Sequence, residues 1–192
     1  MVRIVTVDIA SGTTHEYAYQ LTTGSGVSEI VALSATQFLV DERDGKGLGD
    51  GTKAAVKQVF KIDLTGAQDV TNLSGDLSSK AVAKTVFIDL VAALKNFGIS
   101  ADNIPAKIEG MAFGDDVMVE GVLNHTLYIA NDNDFLTSSG DNNFYVFGIT
   151  DADLRAVNAS YTAQAIAQVP EPMSVALVCL GLMGVGVARR RK

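Results

Sequence analysis

The sequence predicts an all-β fold: an incomplete β-propeller of about three to four blades of antiparallel strands, followed by one C-terminal apolar helix. Three observations lead there. Short β-branched and aromatic runs are separated by Gly, Asp, Asn and Ser through most of the chain. A two-strand unit led by an acid and ending in carboxylates or amides occurs twice. Finally, the last uncharged run, Met173 to Ala188, ends in four cations.

Taken in order, Val2 to Ile9 alternate, Ser11-Gly12 turns, and His15 to Leu21 return, which reads as a hairpin. HEYAYQL (15–21), QVFKIDL (58–64) and NFYVFGI (143–149) share alternating large side chains, as half-buried antiparallel strands require. KTVFIDLVAALKNFGI begins as a strand, but Leu90-Val91-Ala92-Ala93-Leu94 has helical character, so a short helix is expected there.

The repeated unit is more informative. In SEIVAL, Glu29 precedes an apolar run, the chain turns, and FLV delivers Asp41-Glu42-Arg43-Asp44. In IEGMAF, Glu109 precedes a similar run, and LYIA delivers Asn131-Asp132-Asn133-Asp134. In an antiparallel pair the leading acid and the trailing cluster lie at the same end, so both units are expected to aim oxygen ligands at one rim. A radial array of small sheets brings such strand ends together around a channel, at about 40–50 residues per blade. Residues 1–165 are therefore read as a propeller fragment, 166–172 as a linker with Pro-Glu-Pro, and 173–192 as a terminal helix with a basic end.

Clustered carboxylates and amides without His or Cys suit a hard cation such as calcium, which takes about 6–8 oxygens. Glu29, Asp41, Glu42, Glu109, Asp132 and Asn133 are the candidate metal ligands. Arg43 and Lys107 are candidates to hold a substrate anion, with Glu42 beside the metal as the third catalytic candidate. The alternative stays open that DERDG is a solvated turn and that Glu109 pairs with Lys107 on a surface.

Composition removes other classes. The net charge is -7, and without the four tail cations 11 basic residues face 22 acidic ones. Such a surface repels nucleic acid. The one cysteine, Cys179, forms no disulfide within the chain, and His15 and His125 lack zinc-site spacing, so both are expected on solvent-facing turns or strands. Thr23-Gly24-Ser25-Gly26 lacks a nucleophile-elbow pattern, 45–53 and 73–80 read as plain loops rather than phosphate cradles, and no EF-hand loop is present.

The tail, VPEPMSVALVCLGLMGVGVARRRK, is an address. Its 16 uncharged residues would make a helix of roughly 24 Å, short of the ~30 Å hydrocarbon core unless Arg189 and its neighbours snorkel. Terminal cations favour a cytoplasmic end, placing the body of the protein outside the cytoplasmic membrane. Val169-Pro170-Glu171-Pro172, the short span and the basic end together resemble the PEP-CTERM sorting signal. That resemblance implies an exosortase-type processing enzyme as partner, membrane anchoring before processing, and then a cell-surface or extracellular location. Residues 1–20 lack the apolar core of an export signal, which suggests an N-terminally truncated chain.

YAYQL, GVSEIVAL, FLVDERDG, VFKIDL, KIEGMAFG and ANDNDF, in that order over about Tyr17 to Leu154, resemble the esterase-like-activity-of-phytase family, a β-propeller group. The resemblance implies a phosphoester or other ester substrate and, by analogy with propeller phytases, calcium. It also implies that the N-terminal half of the ring is missing, and the family's Asp-Asn-Asn-Phe appears as Asp132-Asn133-Asp134-Phe135. A non-catalytic surface or matrix protein that binds exopolysaccharide and holds structural calcium is the competing expectation.

Overall fold

The computed structural model describes residues 1–164. Strands β1 (Val2–Val7) and β2 (Thr14–Tyr19) form an antiparallel hairpin. Its turn is closed by the Asp8 carboxylate, which accepts from Ser11 N and Ser11 Oγ, and by Gly12 at φ 72°. The left-handed conformation is open to glycine at little cost.

Strands β3 (Gly26–Ala32), β4 (Gln37–Arg43), β5 (Lys57–Asp63) and β6 (Lys84–Asp89) follow as a four-stranded antiparallel meander in sequence order. The expected strand-to-helix switch occurs at Asp89. Its carboxylate accepts from Ala92 N at 3.0 Å and caps helix α1 (Leu90–Asn96), which buries Leu90 and Leu94.

A third sheet contains β7 (Ile108–Phe113), β9 (Val122–Asn131) and β10 (Phe144–Ile149), with the short β8 (Val117–Val119) also paired to β9. Helix α2 (Asp151–Ala156) closes it, started by a capping box between Thr150 and Asp153. Both acid-led units are antiparallel pairs, β3 with β4 and β7 with β9.

The three sheets stack as layers. The main core lies between the two larger sheets, where Leu39, Val59, Ile108, Met111, Leu127 and Ile129 meet. A smaller core of Tyr19, Val40, Ile62 and Val82 joins the hairpin to the meander. Alternation along β4 explains how one strand serves both: Leu39, Asp41 and Arg43 face the third sheet, whereas Phe38, Val40 and Glu42 face the hairpin.

The fold is therefore mostly antiparallel β with few helices. Among the described residues the sheets form no closed barrel or ring of blades. The expected linker and C-terminal helix lie outside the described residues, and no described helix is long and apolar enough to cross a membrane.

Candidate functional site

Strand β4 carries three of the expected site residues, and its pleat separates them. Asp41 pairs across the ladder with Glu29 on β3, and both lie on the side of the third sheet. Between Val27 and Glu29 the register shifts, leaving Ser28 as an extra residue. Asp41 is fully buried, and neither carboxylate oxygen has a hydrogen-bond partner; Ser28 Oγ is buried and unpartnered as well. Burial pushes the Asp41 carboxyl up to about 7, against the pull of Lys57 and Arg43.

Glu42, the next residue, points the other way, into the core under the hairpin. It too is fully buried, but it accepts from Tyr19 Oη (2.5 Å), Thr22 N (2.8 Å), Ser25 Oγ (2.7 Å) and Lys84 Nζ. Burial alone would raise its carboxyl; the four donors outweigh it and hold the group below the usual range. The Lys84 ammonium also sits 4.1 Å from the Phe60 ring centroid, a cation–π contact. Burial and the neighbouring Glu42 push the Tyr19 phenol far above its ordinary value. This network docks the hairpin on the meander, and it consumes the hydroxyl of Ser25.

At the end of β4, the Arg43 guanidinium donates to Glu109 Oε1 at the start of β7, so the two acid-led units do meet. Lys107, just before β7, pairs with Asp134 rather than with Glu109. Its hydrogen bond to Asp134 holds the ammonium above the usual range, helped by Glu109 and opposed by Arg43. The two ion pairs thus stand side by side at one mouth, all four side chains partly exposed. Asp132 and Asn133 build the loop around it. Asp132 Oδ1 accepts from Asp134 N (2.8 Å), Asn133 Oδ1 accepts from Phe135 N (3.0 Å), and Asn133 Nδ2 donates to Gly140 O (2.8 Å).

Below the mouth lies a residue that the sequence reading did not single out. Lys57 is fully buried, and its Nζ lies within 2.9 Å of four oxygens: Asp44 O, Asp44 Oδ1, Lys46 O and Ala106 O. An ammonium has three hydrogens, so one is shared. Asp44, the last acid of DERD, is thereby neutralised inside the protein.

One shared cation point is not what these residues make. Glu42 faces away from Glu29 and Asp41, Glu109 is taken by Arg43, and the Asp132 and Asn133 side chains are spent on loop turns. Among the described residues no three His, Cys, Asp or Glu side chains gather closely enough to hold a metal ion. Asp41 and the second oxygen of Glu29, whose Oε1 accepts from Ile30 N, remain uncommitted, two oxygen-bearing groups against calcium's six to eight ligands. The set does not fit calcium.

His125, expected to face solvent, is a further correction. It is 8% exposed, its Nδ1 is 2.8 Å from Asp116 Oδ1 and its Nε2 3.4 Å from Asp151 Oδ1, and its ring lies against Tyr161. Burial works against its charge, yet the two aspartates prevail and raise the imidazole above its ordinary value. His15 is an exposed strand residue, as expected, hydrogen-bonded to Asp69 at 2.7 Å.

A family model described as esterase-like activity of phytase matches residues 1–135, and a PEP-CTERM protein-sorting motif matches residues 168–192. No curated protein and no solved structure matches the chain.

Proposed function

The chain belongs to the phytase-like family described as esterase-like activity of phytase and carries a PEP-CTERM sorting motif, and on that premise we propose that its mouth binds the anionic group of an ester for hydrolysis. The sorting motif marks an exported protein handled by exosortase-type processing. In this reading the three stacked sheets are part of a propeller, and the ester site lies where Arg43 ends β4 and Lys107 leads into β7.

One observation carries this reading: two partly exposed cations from different sheets stand together, each held by a carboxylate rather than buried. A phosphoester with two charged oxygens can replace Glu109 at the Arg43 fork, which is suited to bidentate recognition, and Asp134 at the Lys107 ammonium. Exchange at Arg43 releases Glu109 beside the bound ester, where its carboxylate can take a proton from an attacking water. The Arg43–Glu109 pair is then a resting state that substrate opens.

The test is calorimetric titration with a chromogenic phosphoester, followed by turnover of the same compound and of a short acyl ester. Binding should weaken at least tenfold in Arg43→Ala and in Lys107→Ala, and Glu109→Gln should retain binding while losing turnover. Binding that ignores both cation variants would overturn the reading. The competing role, a non-catalytic surface or matrix-binding protein, is favoured by the neutralisation of most mouth carboxylates within the chain. In that case no ester turns over.

A further inference from the structure

Beside the mouth lies a small pocket that the paired cations leave open. Three segments line it: the loop after β4, with Leu48 and Gly49; the stretch before β7, with the buried Pro105; and the loop after β9, with Leu136 and Ser139. Lys107 and Asp134, one of the two ion pairs, line it as well, so mouth and pocket share a border. Its volume is about 110 Å³. Small-molecule sites usually measure roughly 300–1,000 Å³, and liquid water takes about 30 Å³ per molecule, so a group of about four heavy atoms fills it.

Backbone contacts fix its shape. Leu48 N donates to Ile104 O (2.8 Å) and Ala106 N donates to Leu48 O (3.0 Å), which ties the first segment to the second. Gly47, at φ 134°, permits that approach, since a Cβ there would collide with Ile104 O. The first segment also meets the third: a Cβ at Gly49 would lie 2.5 Å from Ser139 Oγ, and one at Gly140 3.0 Å from Leu48 Cδ2. Held on both sides, the pocket has little room to widen. Leu136, 52% exposed, is the apolar side chain at its rim. Every lining residue falls between Gly45 and Ser139, whereas the described chain runs out at the far end of the sheets, where Thr162 N donates to Leu33 O just beyond β3.

We propose that this pocket seats the alcohol portion of the bound ester and restricts it to short aliphatic groups, with Leu136 setting the limit. The inference rests on the ester-binding reading: an anion held by Arg43 and Lys107 has one ester oxygen left to place, and the recess that shares Lys107 receives what that oxygen carries. A short alkyl chain fits among Leu48, Pro105 and Leu136. A ring does not, so an aryl ester is held through its phosphate alone with the ring left in solvent.

Calorimetric titration of the full 192-residue chain, in detergent that disperses its apolar tail, tests this with inorganic phosphate, ethyl phosphate and phenyl phosphate. Inorganic phosphate reads the cation pair without the pocket. Ethyl phosphate should bind at least about tenfold more tightly than phenyl phosphate, against the usual advantage of the larger apolar group. Leu136→Ala, at an exposed position, should cut that preference to about threefold or less while inorganic phosphate binding and the melting temperature stay unchanged. Equal affinity for the two esters beside normal phosphate binding overturns this inference alone, and so does a preference that Leu136→Ala leaves intact. If none of the three compounds binds, the ester reading fails and this inference falls with it.

Discussion

Asp41 and Glu42 are adjacent acids on one strand, equally buried, and opposite in their circumstances. Glu42 sits among four donors, one of them an ammonium, and its charge is stabilised. Asp41 has no hydrogen-bond partner on either oxygen and holds its proton to about pH 7. Burial is common to both, so the donors decide. One acid ties two layers together, and the other is a standing cost to the fold near neutral pH.

The comparison breaks most visibly at Glu42. Replacing it with alanine should cost about 3 kcal/mol, because the buried Tyr19 hydroxyl and the part-buried Lys84 ammonium lose their shared acceptor. Denaturant unfolding would show this as a large fall in midpoint. Pairing Glu42→Gln with Lys84→Met should recover much of the loss, since the charge and its partner then leave together.

On the other face the sign reverses. Asp41→Asn should stabilise the protein by about 1–3 kcal/mol at pH 8. The folded carboxyl titrates near 7, above the unfolded value of about 4, so the folded state keeps a proton that the unfolded chain gives up. Wild-type stability should therefore fall as pH rises from about 4 to about 7, and the asparagine variant should lose that slope. An unchanged slope would mean that Asp41 is ionised in the fold.

His125 sharpens the contrast with a smaller effect. Its folded pKa is raised by Asp116 and Asp151, so its contribution is complete below the unfolded value and disappears as pH climbs through the folded one. Both aspartates are well exposed, which keeps the effect under about 1 kcal/mol. Melting curves of His125→Gln between pH 6 and 8 should be flatter than wild type. Smallest of all should be the stability change in Arg43→Ala or Lys107→Ala, whose ion pairs are solvent-screened, despite their expected loss of ester binding.

Much of the architecture was legible in the sequence. Alternation located the hairpins, the FIDLVAAL stretch announced a strand passing into a helix, and the acid-led units did form antiparallel pairs whose charged ends meet through Arg43 and Glu109. The single cation point was not there to be read, and one available signal spoke against it: neighbouring residues of a strand face opposite ways, so Asp41 and Glu42 do not share a ligand. The burial of His125 had no such signal. Its partners, Asp116 and Asp151, come from a loop and a helix start that only the third sheet brings together.

Lys57 gives the mouth a mechanical property. Its ammonium fastens the loop after β4, through Asp44 and Lys46, to Ala106, the residue before Lys107. Arg43 and Lys107 come from separate sheets, yet their spacing is gauged by this one interior charge. A truncation there would leave both surface cations chemically intact and put them out of step with any rigid dianion.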